Sequence, residues 1–195
     1  MHPGTPAVFR RLCDPARGRN ISGRKQMSDR FVAVLMGSDS DLPVVEGAFQ
    51  VLKSLGIRAE GKVTSAHRTP DAARAYVADA EARGCQVFIC AAGMAAHLAG
   101  AVAAATTRPV IGIPVDCGPL NGVDALYSTV MMPGGIPVAA MGIGKSGAKN
   151  AAYLAAEIMA LSDPELDAAV KAERKARAED VARKDQALQK KLENV

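Results

Sequence analysis

Tryptophan is absent from the 195-residue sequence, and aromatic residues of all kinds make up only 4% of it. Smaller side chains must therefore fill the core, and the 49% of hydrophobic residues and the 18 glycines supply them. Small residues suit close packing of helices on a sheet, so the composition favours an α/β layer fold. A chain of this length can bury a sufficient core as a single domain without disulfides or metal.

Long apolar runs are also missing. No stretch approaches the ~20 consecutive apolar residues of a membrane span, and the N-terminal segment lacks the apolar centre of a signal peptide. We therefore predict no membrane partner. The four cysteines, Cys13, Cys85, Cys90 and Cys117, have neither CxxC nor Cys/His ligand spacing. This predicts reduced thiols in the cytoplasm and no metal site.

Several signatures of common enzyme classes are absent as well. The sequence contains no GxxxxGK[ST], no HExxH and no GxSxG motif. The sequence thus lacks the usual markers of P-loop nucleotide hydrolases, zinc proteases and serine esterases. We predict no cofactor.

Basic residues are concentrated at the N-terminus. Residues 1–27 contain six basic residues and one acidic residue, whereas the other 168 residues contain 18 basic and 19 acidic ones. The body of the protein thus has a net charge of −1, which does not favour a nucleic-acid partner. We predict a disordered leader. Either Met27 is the true start, or the leader is a targeting or nucleic-acid-tethering segment.

Apolar runs alternate with amphipathic segments from residue 31 onward. Strands are predicted at residues 31–36, 57–63, 85–92, 109–115 and 138–143, and helices between the first two strands and at residues 70–83, 95–106, 124–131 and 146–161. This succession predicts a flavodoxin-like, three-layer α/β/α domain with a parallel sheet over residues 28–162. The sequence of residues 163–195 predicts a charged helix with a thin apolar stripe. We interpret it as a C-terminal helical arm packed on a neighbouring subunit, with a solvated helix as the alternative.

Two polar loops follow the first two predicted strands, at the edge of the sheet where such folds bind ligands. The first, GSDSD, places hydroxyls and free N–H groups at a helix N-terminus, where they bind an anion or ribose or only cap the helix. The second, SAHRTPD, combines Ser65, His67 and Arg68. Arg68 and Ser65 suit a phosphate, and an imidazole transfers protons near neutral pH. A His that only stabilises the loop is the alternative for His67.

The loop after the third strand reads AAGMAAHLAG and has almost no side-chain bulk. Such a wall lets a flat heterocycle approach backbone N–H and C=O groups. His97 is its only strongly polar side chain, and a purely structural His remains the alternative there.

Six sequence blocks resemble the N5-carboxyaminoimidazole ribonucleotide mutases of bacteria, plants and fungi, within the aminoimidazole ribonucleotide (AIR) carboxylase family. In order, the blocks are GSDSD, SAHRTPD, AAGMAAHLAG, RPVIGIPV, GVDALYSTVMMPGGIPV and GIGKSGAKNAAYLAA. They span residues 31–161. Arg68 is also more like the mutases than the related animal-type carboxylases, which tend to have Lys after that His.

The resemblance implies roles for individual residues. His67 is implied to be catalytic. The implied substrate-binding residues are Ser38, Asp41, Ser65, Ala66, Arg68, Ala92, Gly93, Ala95, Ala96, His97 and Leu98. The family also implies a homo-octamer whose neighbouring subunits complete each site. Met94 and Ala91 depart from the family, which commonly has glycine at both positions, and Ala99 stands where proline is frequent.

The implied reaction belongs to de novo purine synthesis. N5-carboxyaminoimidazole ribonucleotide would lose CO2 when His67 protonates its carbamate nitrogen, and ring carbon 4 would then recapture the CO2. An AIR carboxylase that uses free CO2 is the nearest alternative. A flavodoxin-like module that binds a nucleotide without reacting is a second, and a nucleic-acid adaptor using the leader is a third.

Overall fold

The computed structural model describes residues 30–193, and the predicted leader lies outside that range. Five strands form one sheet in the order β2-β1-β3-β4-β5, with every neighbouring pair parallel. The strands are β1 (Phe31–Met36), β2 (Arg58–Val63), β3 (Cys85–Gly93), β4 (Val110–Val115) and β5 (Ala139–Ala140). The predicted parallel sheet is confirmed.

Helices cover both faces of this sheet. They are α1 (Leu42–Ser54), α2 (Pro70–Ala82), α3 (Leu98–Ala103), α4 (Val123–Val130), α5 (Lys145–Ala160) and α6 (Pro164–Leu192), with a short 3₁₀ turn at Asp39–Asp41. One apolar core joins the sheet to α1, α5 and the start of α6, and a second joins the opposite face to α2 and α3. The α/β/α layers are therefore those that the sequence predicts.

The central strands are buried on both faces, as their continuous apolar sequences require. Every residue of β1 and of β4 is buried. β2 forms one edge of the sheet and is largely exposed, and two cations cover the core there. The guanidinium groups of Arg58 and Arg83 lie 4.3 and 5.1 Å from the centre of the Phe31 ring.

Alanines make up the buried face of α5. Ala148, Ala151, Ala152, Ala155 and Ala156 are all fully buried. Because these side chains are short, α5 can approach the sheet and α1 closely. The small residues that the composition shows thus form the contact between α5 and the sheet.

Two predicted elements are shorter in the structure. α3 spans Leu98–Ala103 rather than residues 95–106: Met94, with a φ of 54°, lies outside the right-handed helical region, and residues 95–97 after it are not helical either. β5 has only two residues, Ala139–Ala140, and residues 141–143 lie outside the strand before the chain turns at Gly144, whose φ is 76°. The segment still follows β4, since the Met141 and Gly144 N–H groups donate to the Gly112 and Pro114 carbonyls.

The N-terminal half of α6 packs on α5 of the same chain. Leu166 is buried in the core, and the Tyr153 hydroxyl of α5 donates to Glu173 at 2.8 Å. Every residue from 181 to 193 is exposed. Among the described residues, no helix combines the length and apolar character needed to cross a bilayer.

Candidate active site

The loops that follow β1, β2, β3 and β4 meet at the carboxyl edge of the sheet. The backbone ties them together: Gly37 N–H donates to Ala91 O at 3.1 Å, and Thr64 N–H donates to Met36 O at 2.9 Å. They enclose a cavity of about 460 Å³. Its lining comprises Gly37, Ser38, Ser40, Asp41, Ser65, Ala66, His67, Arg68, Ala92, Gly93, Met94, Ala95, His97, Leu98 and Cys117. All the predicted site residues except Ala96, which is buried, thus lie around one cavity.

Hydrogen bonds within the first loop fix its shape. The Asp41 carboxylate accepts from Ser38 N–H at 3.0 Å, and the Ser38 hydroxyl oxygen accepts from Ser40 N–H at 3.3 Å. This reciprocal arrangement is a capping box. Burial raises the pKa of the Asp41 carboxyl, against the opposing effect of the Ser38 and Gly37 N–H groups. Asp41 thus holds the loop in shape, and the Ser38 hydroxyl reaches the cavity from it.

The second loop is a tight turn stabilised by two hydroxyl groups. The Ser65 oxygen accepts from the N–H groups of His67 and Arg68 at 3.3 and 3.2 Å. The Thr69 hydroxyl oxygen accepts from Ser65 N–H at 3.0 Å. Pro70 then begins α2 at a position where no N–H is required. These bonds set the direction in which His67 and Arg68 leave the turn.

Arg68 connects the second loop to the first. Its guanidinium donates to the Gly37 carbonyl at 3.3 Å. Within residues 30–193, no carboxylate forms an ion pair with it. Asp41 also lines the cavity but forms no ion pair with Arg68. An exposed guanidinium that no described carboxylate neutralises suits an anionic ligand group such as a phosphate.

His67 and His97 lie in direct contact. The Nε2 atom of His67 is 2.8 Å from the Nδ1 atom of His97, and the rings meet edge to face at 74°. One nitrogen must donate and the other accept, so the pair holds a single proton between these two atoms. The sequence assigned both residues to the site but did not predict this contact, which depends on the two loops being neighbours.

The third loop forms an apolar wall against the loop after β4. A side chain at Gly93 would overlap the Cys117 sulfur, so with cysteine at position 117 only glycine fits there. Sequence reasoning missed Cys117 as a lining residue, along with Gly37, Ser40 and Met94. The available signal for Cys117 was its position two residues after a predicted strand, where the other site loops also begin. Cys85 and Cys90 lie in β3, where burial raises the pKa of Cys85 to about 11 and also raises that of Cys90.

The loop that opens α5 fits a nucleotide-binding pattern in sequence only. Residues 142–147 read GIGKSG and so match GxGxxG, a pattern that lets pyrophosphate approach the backbone at a helix N-terminus. Here the Asp116 carboxylate lies against Gly144, and the Gly142 carbonyl occupies the space beside Gly147. A carboxylate at that point would repel a pyrophosphate group. The glycines therefore allow close packing within the loop rather than phosphate binding. Among residues 30–193 no group of three or more His, Cys, Asp or Glu side chains is arranged to hold a metal ion.

A model of one protein family matches residues 31–180, and its description is AIR carboxylase. This chain belongs to the AIR carboxylase family. The match includes all four loops of the cavity and ends within α6. Curated relatives of the family named N5-carboxyaminoimidazole ribonucleotide mutase align over most of their length. That of Thermotoga maritima is 48% identical over 81% of this chain and 91% of its own.

Other curated mutases align with this chain at similar identity and coverage. The mutase of Mycobacterium tuberculosis H37Rv is 50% identical over 82% of this chain and 90% of its own, and that of Escherichia coli K12 is 48% identical over 77% and 89%. Among solved structures, PurE of Treponema denticola superposes with a TM-score of 0.74 at 32% identity, covering 82% of this chain and 98% of that one. The fold and the family thus agree.

Proposed function

We propose that this protein converts N5-carboxyaminoimidazole ribonucleotide to 4-carboxyaminoimidazole ribonucleotide, a carboxyl transfer within one molecule in de novo purine synthesis. The observation that carries the proposal is the His67–His97 pair, which holds one proton at a cavity that Arg68 also lines, with no ion-pair partner for its guanidinium among residues 30–193. The names of the curated relatives support the same reaction.

Substrate binding follows from the distribution of charge. Arg68 and the Ser65 hydroxyl receive the phosphate, and Ser38 at the helix entrance contacts the phosphate or the ribose. The aminoimidazole then lies against the small residues Ala92, Gly93, Ala95 and Leu98, with its exocyclic nitrogen toward the imidazoles. Ala96, buried behind this wall, supports it from below.

The reaction needs one proton to leave the enzyme and one to return. His67 gives its proton to the exocyclic nitrogen as the bond from that nitrogen to the carboxyl carbon breaks, which releases CO2. Ring carbon 4 of the electron-rich aminoimidazole attacks CO2, and neutral His67 then removes the proton from carbon 4. The residue ends in its initial protonation state. A single histidine thus serves as acid and then as base.

His97 positions His67 in this scheme. In the acid form of His67 both ring nitrogens carry protons, so Nε2 donates to His97 Nδ1 across the 2.8 Å contact and His97 sets the orientation of the ring. When substrate enters, it must either break this hydrogen bond or bind beside it. In the empty site the bond keeps His67 oriented.

The second candidate is an AIR carboxylase, a lyase-type reaction that takes up free CO2 in the same site. The family description favours it, whereas the relatives at about 50% identity favour the mutase. Each ribonucleotide is therefore offered separately to the purified protein, without ATP and with a chelator present. Turnover of the carbamate supports the mutase. Turnover only of AIR with bicarbonate supports the carboxylase, and no turnover of either overturns both.

We also propose that the protein is a cytoplasmic homo-octamer. The outer face of α4 supports self-association, since Val123, Tyr127, Val130 and Met131 expose 44 to 79% of their surfaces on neighbouring turns. The reaction itself supports the cytoplasm, where purine nucleotides are made. Light scattering tests the octamer: a mass near that of one chain, 20.2 kDa, would refute it.

A further inference from the structure

Met94 has a backbone conformation that is unfavourable for its side chain. Its φ of 54° lies in the left-handed region, where the Cβ of an L-residue comes too close to a carbonyl oxygen. Asn121, with a φ of 50°, is the other non-glycine residue in this region among residues 30–193, and asparagine tolerates that region better than methionine does. A methionine that stays in this conformation points to a use for its side chain.

The side chain of Met94 spans the gap between two loops of the cavity. It follows β3, yet a Cβ atom placed on Gly118, in the loop after β4, would be 3.4 Å from its Cγ and 3.6 Å from its sulfur. Its own carbonyl accepts a 3.4 Å hydrogen bond from the Ser128 hydroxyl of α4. Met94 lines the cavity and is 56% exposed, so it lies at the rim, between the cavity and solvent.

We propose that Met94 is a retention residue, whose thioether side chain closes the rim between the loops after β3 and β4 and keeps CO2 in the cavity until ring carbon 4 attacks it. This inference rests on the proposed mutase function. CO2 is neutral and has no charged group for Arg68 or the histidines to hold, so its escape is opposed mainly by steric closure. An unbranched thioether can move aside for the nucleotide and return afterwards.

Four variants separate retention from backbone strain. Met94→Gly removes the side chain and also relieves the strain, and Met94→Ala removes the thioether but keeps a Cβ. Met94→Leu restores an apolar side chain of similar volume. Asn121→Gly is the matched control, because it relieves the same backbone conformation at a residue that does not line the cavity.

Each variant is given carbamate substrate with an isotopic carboxyl carbon and excess unlabelled bicarbonate, and the label in the carboxylated product is measured. We expect Met94→Gly and Met94→Ala to lose severalfold more label per turnover than the parent. The thermal unfolding temperature of Met94→Gly should be no lower than that of the parent. Met94→Leu and Asn121→Gly should retain label as the parent does.

Equal retention in the parent, Met94→Gly and Met94→Ala would overturn the role of Met94. Failure of the proposed function has a different signature, since the unmodified protein would then form no product from the carbamate. The mass of each variant in solution is measured as well. If the glycine variant assembles differently, the comparison of alanine with leucine, both of which keep a side chain at the strained position, decides the outcome.

Discussion

The carboxyl edge of the sheet and α6 are both rich in polar side chains, yet their charges are arranged differently. Along α6 the charges neutralise one another: Lys171 pairs with Asp167 at 2.7 Å, and Lys184 pairs with Asp180 at 2.6 Å. At the carboxyl edge, Arg68 has no carboxylate partner among residues 30–193, and two imidazoles share one proton. Polar groups that converge on one cavity without pairing with an opposite charge, rather than the number of polar groups, thus distinguish the candidate site.

His67→Asn should give the largest effect, because it removes the proton transfer and leaves the turn intact. The Ser65 oxygen bonds the backbone N–H of residue 67, which asparagine keeps. We expect turnover to fall by about 10²- to 10⁴-fold with an unchanged circular dichroism spectrum. Steady-state kinetics with the carbamate substrate measure the fall. Near-normal turnover would refute His67 as the acid and base.

Two leucines of α6 test where this helix contributes to the fold. Leu166 is 8% exposed and packs on α5, whereas Leu188 is 51% exposed. Leu166→Ala should lower the free energy of unfolding by about 2 to 4 kcal/mol. Leu188→Ala should change it by less than about 0.5 kcal/mol. Urea unfolding at one protein concentration compares them. A large effect of Leu188→Ala would instead indicate that a neighbouring subunit covers it, as predicted for the arm.

Two arginines test the unpaired charge at the cavity. Arg68→Ala removes a charged hydrogen-bond donor from the phosphate, a loss of about 1.5 to 3 kcal/mol, which raises KM roughly 10- to 100-fold. The matched control is Arg74→Ala, because Arg74 is exposed, lies near Asp71 on α2 and does not line the cavity. The control should keep the parental KM. An unchanged KM for Arg68→Ala would remove Arg68 from the phosphate site.

The buried carboxyl of Asp41 should give the smallest effect, as a pH dependence of stability. Burial raises its pKa in the folded protein, so its protonated form favours folding. This stabilisation is complete below the ordinary pKa and is lost as the pH rises through the raised value. The thermal unfolding temperature of the parent should therefore fall relative to that of Asp41→Asn between acidic and neutral pH. A constant difference would contradict the raised pKa.

Sequence reasoning succeeds where one-dimensional patterns determine the structure. Continuous apolar runs locate β1 and β4, and polar loops directly after strands locate His67 and Arg68, because parallel strands end at one edge of a sheet. The resemblance to the family then supplied roles that the residues alone left open.

What the sequence could not give depends on neighbours distant in the chain. The His67–His97 bond joins loops 30 residues apart, and the sequence carries no direct signal of ring orientation. Cys117 enters the cavity because β4 lies beside β3, which follows from strand order. The left-handed φ of Met94, just before α3, has no signal in the sequence, because methionine favours helices.

Gly93 and Cys117 illustrate a consequence for how the cavity can vary. Any side chain at position 93 would occupy the space of the Cys117 sulfur. The residues at these two positions can therefore change only together. A larger residue at 93 is accepted only together with a smaller one at 117, and each substitution alone deforms the cavity or leaves a void. In this protein, a change in the size of that wall therefore requires paired substitutions.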